Sequence, residues 1–102
     1  MESVPYDKRS GKIWFNGKTV NWEDANIHVL NHGLHYASCV FEGERVYDGE
    51  IFKLEEHTER LFHSAQRMGI NVPYSKSEIN EACKSIVHIQ KVQNGYVRPL
   101  IW

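Results

Sequence analysis

The sequence lacks the features of several large classes of protein. No apolar run approaches the roughly 18 residues that a membrane-spanning helix needs. Twelve basic residues stand against thirteen acidic ones, so there is no excess positive charge to attract nucleic acid or an anionic membrane. The opening stretch, MESVPYDKRSGK, has no apolar core, and we expect no secretory signal there. These absences favour a cytoplasmic protein that binds neither nucleic acid nor a membrane.

Motifs for metals, phosphates and disulfides are also scarce. His32 and His35 stand three residues apart, as metal ligands can, but no third ligand follows at a matching spacing. We therefore expect histidines that hydrogen-bond within a turn, and no metal site. There is no glycine-rich phosphate loop and no nucleophile elbow. Cys39 and Cys83 form no CxxC pair, so two free thiols are the simplest interpretation and a single disulfide is the alternative.

The composition is that of one folded domain. The 102 residues are 41% apolar and 25% charged, which is enough for a single modest core. We expect residues 1–11 to be a flexible lead-in and residues 12–102 to form the domain. Because the chain stops within the apolar run YVRPLIW, we expect it to be a fragment of a longer protein.

The first half of the chain has the pattern of strands and tight turns. Asn16-Gly17 separates two short apolar-rich runs and predicts a type I′ hairpin, since both turn positions need positive φ. Residues 27–30 predict a short strand. A longer strand is predicted over residues 39–47, and Asp48-Gly49 predicts the hairpin that follows it.

The second half changes to a helical period. Apolar residues at helical spacing predict a helix over residues 55–68. Ser75 and Glu78 have the spacing of a capping box, so a second helix should begin there and stop before Asn94. Together the elements predict an α+β fold of two layers, with a mostly antiparallel sheet and two helices.

The strand predicted over residues 39–47 carries an unusual face. Side chains alternate along a strand, so Phe41, Gly43 and Arg45 share one face. A glycine inside a strand favours close approach of another group to the backbone. With an arginine beside it to receive an anion, this face predicts the wall of a small-molecule site. The alternative is a half-buried strand from which Arg45 reaches solvent.

Two further arginines stand at suggestive positions. Arg60 lies on the first long predicted helix, where a solvated face is the alternative interpretation. Arg98 follows Tyr96 by two residues, and such a pair can hold a carboxylate by a charge-assisted contact. If Arg45, Arg60 and Arg98 converge, they would hold the anionic groups of one or two ligands.

Four ordered motifs resemble the N-terminal domain of the branched-chain amino acid aminotransferases, pyridoxal-phosphate enzymes of fold-type IV in aminotransferase class IV. The motifs are IWFNGKTVNWEDANIHVLNHGLHYAS, VFEGERVYDG, FKLEEHTERLFHSA and GYVRPLIW. The resemblance runs from Lys12 to Trp102. It implies the small α+β N-terminal domain of that class. It also implies transfer of an amino group between leucine, isoleucine or valine and 2-oxoglutarate, with pyridoxal 5′-phosphate as cofactor.

The resemblance further implies roles for individual residues. Arg60 corresponds to the arginine that grips the cofactor phosphate. The substrate-binding positions correspond to Tyr36, Phe41, Gly43, Arg45, Tyr96 and Arg98. Tyr36 and Phe41 are expected to line the pocket for an apolar side chain, with room left by the glycine. The tyrosines and Arg98 would handle the distal carboxylate of glutamate, and Arg45 would orient pocket groups.

The resemblance also implies what the chain does not contain. The family's Schiff-base lysine lies in a C-terminal domain that would follow Trp102, so no catalytic residue is expected here. The chain alone should be inactive and bind pyridoxal 5′-phosphate weakly or not at all, whereas the family implies a homo-oligomer. Glu44 replaces an aliphatic residue of many relatives, and we expect little effect because it faces away from Phe41.

Other functions fit the same residues. A D-amino acid aminotransferase or an aminodeoxychorismate lyase would share the fold. A third possibility is a stand-alone truncated binding or structural module without catalysis.

Overall fold

Residues 3–102, the part of the chain that a computed structural model describes, form seven short strands and three α-helices. The strands are β1 (Lys12–Phe15), β2 (Lys18–Asn21), β3 (Val40–Phe41), β4 (Glu44–Tyr47), β5 (Glu50–Ile51), β6 (Gly95–Val97) and β7 (Leu100–Ile101). The helices are α1 (His32–Tyr36), α2 (Leu54–Arg67) and α3 (Lys76–Ile89). All strand pairs are antiparallel. The α+β prediction is confirmed, with three small sheets in place of one and with α1 as an additional short helix.

Both predicted hairpins are present. Asn16 and Gly17 have φ values of 48° and 88°, and they connect β1 to β2. Asp48 and Gly49, at 50° and 80°, connect β4 to β5. Left-handed backbone at both central positions is what a type I′ turn requires, and Asn-Gly and Asp-Gly tolerate it.

The strand predicted over residues 39–47 is divided into β3 and β4. Opposite the division lies Pro99, which has no N–H to donate and so cannot complete a ladder. Its carbonyl still accepts a hydrogen bond from the backbone N–H of Glu42, at 3.0 Å. The partner strands β7 and β6 keep one register across the gap, so the predicted alternation of faces persists from Val40 to Tyr47.

The prediction of a strand over residues 27–30 is wrong. The segment forms a local turn, in which the carbonyl of His28 accepts from the N–H of Asn31 at 2.9 Å. The Nδ1 atom of His28 also accepts from the N–H of Leu30, at 3.0 Å. These local bonds compete with pairing to another strand. The Asn31 side chain then caps α1 by accepting from the N–H of Gly33.

Helices α2 and α3 lie close to their predicted positions and bury their apolar stripes. Ser75 and Glu78 form the predicted capping box at the start of α3. Leu54 and Leu61 of α2 pack with Ile79 and Cys83 of α3 in the core. A fully buried leucine contributes about 2 kcal/mol to the free energy of unfolding, so these contacts hold the two helices against each other.

The N-terminal segment has one short turn. Residues Tyr6–Lys8 form a single 3₁₀ turn, and the carbonyl of Tyr6 accepts a hydrogen bond from the indole N–H of Trp22. Residues 1–2 lie outside the described range, and the flexible lead-in over residues 1–11 stays a prediction. Among the described residues, none of the helices has the length and apolar content to span a membrane.

Candidate functional site

The open face of the β3–β4 segment brings together four of the predicted site residues. Arg98 donates from Nε and Nη2 to the hydroxyl oxygen of Tyr96, at 3.2 and 3.0 Å. The guanidinium carbon of Arg98 also lies 4.3 Å from the ring centre of Phe41, within the range of a cation–π contact. Both aromatic rings remain about half exposed. A cation, a phenol and an apolar ring thus share one accessible place.

Gly43 is necessary for this arrangement. A Cβ atom at this position would lie 2.5 Å from the hydroxyl oxygen of Tyr96 and 2.9 Å from a ring carbon. The close approach that a glycine inside a strand predicts is therefore made by the phenol of Tyr96. Any larger residue here would push the phenol away, and the partner that Arg98 contacts would move with it.

Arg45 and Tyr36 stand apart from this cluster. Arg45 pairs with Tyr96 across β4 and β6, but its guanidinium extends toward the ring of Tyr47, with 5.2 Å between the guanidinium carbon and the ring centre. Tyr36 is exposed at the end of α1, where its ring centre lies 4.5 Å from that of His32. Within residues 3–102 no hydrogen bond or aromatic contact joins Tyr36 to the cluster.

Arg60 is held on the other face of the same segment. Its Nε donates to Oε2 of Glu42 at 2.8 Å, and its Nη2 donates to Oε1 at 2.7 Å. The Nδ1–H of His57 donates to the same Oε1, also at 2.7 Å. Arg45, Arg60 and Arg98 therefore do not converge on one point in the described residues; Arg60 forms a second group around Glu42.

The pKa values of the two carboxyl groups on this face are shifted in opposite directions. The two hydrogen bonds from Arg60 hold the pKa of Glu42 below its ordinary value, although burial of the carboxyl opposes this effect. Burial raises the pKa of Glu44, which is fully enclosed. Within residues 3–102 neither carboxyl oxygen of Glu44 makes a well-formed hydrogen bond. Burial, together with the nearby Glu44, raises the pKa of the Cys83 thiol to about 12.

The histidines and cysteines follow the simplest interpretations. His35 donates from Nε2 to the carbonyl of Val29 at 2.8 Å, and Nδ1 of His32 hydrogen-bonds the hydroxyl of Ser38. Both histidines thus hydrogen-bond within their own segment, although they lie on the short helix α1 where the sequence predicted a turn. Cys39 and Cys83 are free thiols, the first exposed and the second buried. In the described part of the chain no three His, Cys, Asp or Glu side chains are grouped as a metal site would need.

Sequence reasoning missed the role of Glu42. The alternation that puts Phe41, Gly43 and Arg45 on one face of the segment puts Glu42 and Glu44 on the other, and that other face is the buried one. A carboxylate on a core-facing position needs a partner, because an unpaired buried charge is costly. That requirement was the available signal, and His57 and Arg60 are the first two basic residues of the following helix.

Comparison with known proteins identifies the family. The family model described as amino-transferase class IV matches residues 39–102. A probable branched-chain-amino-acid aminotransferase of Rickettsia felis is 51% identical over the whole chain, which covers 35% of that protein. The branched-chain-amino-acid aminotransferase of Pseudomonas aeruginosa is 47% identical over 92% of the chain, covering 32% of that protein. The chain thus spans about a third of the length of the curated relatives it matches.

Solved structures agree with these relatives. The branched-chain amino acid aminotransferase of Escherichia coli superposes with a TM-score of 0.87 at 42% identity, over 92% of this chain and 33% of that one. A second branched-chain amino acid aminotransferase, complexed with N-(5′-phosphopyridoxyl)-L-glutamate, gives a TM-score of 0.88 at 40% identity, over 92% and 33%. Sequence motifs, fold and family match therefore agree, and this chain belongs to the class IV aminotransferases.

Proposed function

We propose that this chain forms part of an aminotransferase that moves an amino group between leucine, isoleucine or valine and 2-oxoglutarate, with pyridoxal 5′-phosphate as cofactor. Similarity to proteins named branched-chain-amino-acid aminotransferase supports the reaction class. The observation that carries the substrate assignment is the contact of Arg98 with both Phe41 and Tyr96. It puts an apolar ring and a cation at one accessible place.

Such a place suits a site that accepts two different side chains in turn. The ring of Phe41 offers an apolar surface to a branched aliphatic side chain. Arg98 still has N–H groups that Tyr96 does not engage, and the hydroxyl of Tyr96 accepts from Arg98 while keeping its own proton to donate. The pair is thus able to bind the distal carboxylate of 2-oxoglutarate through charge-assisted hydrogen bonds. Tyr36 and Arg45 are proposed to border the same pocket.

Arg60 is proposed to hold the phosphate of the cofactor. Its side chain is 68% exposed, and within residues 3–102 its hydrogen bonds engage only Nε and Nη2. The N–H groups left over are open to phosphate oxygens, so the residue fits a phosphate dianion. The bound cofactor would supply the electron sink for removal of the amino group, and Arg60 would anchor it against displacement.

The remaining requirements of the reaction fall outside these residues. The family resemblance implies that the lysine which binds the cofactor belongs to a C-terminal domain. We therefore assign the activity to a full-length polypeptide that carries this chain, expect the chain alone to be inactive, and propose a cytoplasmic homo-oligomer. Phe41 and Leu100 are exposed apolar residues on the open face, which suits a surface that other parts of the protein cover.

The two half-reactions of such a full-length polypeptide test the substrate assignment. The Arg98→Gln variant removes the cation but keeps a polar side chain. We expect kcat/KM with glutamate to fall about 100-fold, as loss of a charged hydrogen-bonding partner implies. With leucine, which has no distal carboxylate, the loss should be several times smaller. Arg67→Gln, at the exposed end of α2, is the matched control and should change neither.

Each outcome is informative. Equal losses with leucine and glutamate would overturn the assignment of Arg98 to the carboxylate. Transamination of D-alanine without that of leucine would favour a D-amino acid aminotransferase. Absence of transamination with all three amino acids would favour a lyase or a module without catalysis.

A further inference from the structure

An exposed arginine held by a buried carboxylate is an uneven pair. The side chain of Arg60 is 68% exposed, whereas that of Glu42 is 5% exposed. A solvated arginine does not need a buried partner for its own stability, because water satisfies its N–H groups. Removing a carboxylate from water is costly, and a pair this exposed on one side returns little stability. The position of the carboxylate thus calls for an explanation beyond stability.

The geometry of the pair offers that explanation. Glu42 binds the side edge of the guanidinium, formed by Nε–H and one N–H of Nη2. The end edge, formed by Nη1 and the second N–H of Nη2, makes no hydrogen bond within residues 3–102. An arginine has five N–H donors in a rigid planar fork, so fixing one edge fixes the direction of the other.

Glu42 is itself fixed. The Nδ1–H of His57 donates to its Oε1, and its backbone N–H donates to the carbonyl of Pro99. The carboxylate is therefore anchored from its own backbone and from α2. An arginine attached to such a point has lost much of the rotamer freedom that it would otherwise lose on binding a ligand.

We propose that Glu42 is a positioning residue for the cofactor phosphate: it holds the side edge of Arg60 so that the end edge faces a phosphate dianion. This inference rests on the proposed function, in which Arg60 binds the phosphate of pyridoxal 5′-phosphate. The negative charge of Glu42 acts against the dianion, and preorganisation of Arg60 outweighs that repulsion. The expected change in phosphate affinity therefore has the opposite sign to the change that charge repulsion alone would cause. Removing the negative charge of Glu42 weakens the binding of a negatively charged group.

The test compares two ligands in the full-length polypeptide that carries this chain. Pyridoxal 5′-phosphate and pyridoxal differ only in the phosphate. The ratio of the Kd for pyridoxal to the Kd for pyridoxal 5′-phosphate is therefore the factor by which the phosphate tightens binding, and it isolates the phosphate contact. We expect Glu42→Gln to reduce this factor about tenfold, the scale of one long side chain losing its preorganisation. Arg60→Ala should reduce it further. Adding Glu42→Gln to Arg60→Ala should not reduce it again, because with Arg60 absent the second change removes only the repulsion between Glu42 and the dianion. Glu59→Gln, which removes an exposed carboxylate of α2 that pairs with Lys76 of α3, should leave the factor unchanged.

The outcomes separate the two claims. If Arg60→Ala leaves the factor unchanged, the phosphate assignment of Arg60 fails, and the inference fails with it. If Arg60→Ala lowers the factor but Glu42→Gln leaves it unchanged or raises it, only the positioning role is overturned. Should Glu42→Gln not fold, Glu42→Asp retains the charge on a shorter side chain and is expected to lower the factor partially. An unchanged factor in that variant would also overturn the inference.

Discussion

Glu42 and Glu44 project from the same buried face, two residues apart, into different surroundings. Glu42 is engaged by Arg60 and His57, and its pKa lies below the ordinary value. Glu44 is fully buried, has no well-formed hydrogen bond within residues 3–102, and has a raised pKa. Burial alone thus does not decide the direction in which the pKa of a carboxyl group is shifted. The charged neighbours that face it decide the outcome.

The two groups should act on stability with opposite signs. A carboxyl with a lowered folded pKa contributes stability above its unfolded pKa, and this stability is lost as the pH falls through the folded value. That applies to Glu42, whose ordinary pKa is 4.5. Glu44 has a raised folded pKa, so it is tolerated best below 4.5 and costs stability as the pH rises through its folded value.

The largest expected contrast concerns the thiol beside Glu44. A pKa of about 12 leaves almost no thiolate on Cys83 at pH 8, and the residue is also buried. We expect iodoacetamide to modify the exposed Cys39 on the order of 1,000 times faster, because the thiolate is the reactive species. Peptide mass spectrometry over a time course measures both rates. As a control, both thiols should react at similar rates in urea. Similar rates in the folded protein would show that water reaches the surroundings of Glu44 and Cys83.

A smaller effect is expected from replacing Glu44 itself. At pH 8 we expect Glu44→Leu to raise the free energy of unfolding by about 2 kcal/mol, because an unpaired buried carboxyl is replaced by an apolar group. The gain should shrink toward pH 4, where the native carboxyl is protonated. Urea unfolding at both pH values measures it, with Glu44→Gln as the variant that removes ionisation but keeps polarity. A loss of stability at pH 8 would mean that the carboxylate has a favourable partner.

Local signals allowed much of the fold to be predicted. Asn16-Gly17 and Ser75 with Glu78 act through neighbouring backbone, so their turn and cap could be read directly from the sequence. The division of the strand at residues 42–43 could not be predicted in this way, because it depends on Pro99. That residue lies far along the chain, and only the pairing of the strands brings it opposite the division. The prediction of a strand over residues 27–30 failed because the side chain of His28 accepts a hydrogen bond from the backbone of the same segment.

The candidate site was predicted less completely than the fold. The contact of Tyr96 with Arg98 joins two positions of one short segment, two residues apart, and was expected. The pairing of Arg60 with Glu42 joins α2 to the gap between β3 and β4, eighteen residues away, and spacing alone does not reveal such a contact. The alternation did place Glu42 on the face away from Phe41, and the need of a buried charge for a partner was the missing step.

A titration with pyridoxal 5′-phosphate tests most directly whether this chain supplies part, but not all, of a branched-chain aminotransferase site. It is carried out on residues 1–102 and on a full-length polypeptide that carries them, and is followed by visible absorbance before and after leucine is added. We expect only the longer polypeptide to develop the absorbance of the bound cofactor and to lose it with leucine. A response from residues 1–102 alone, or from neither protein, would contradict the proposed function.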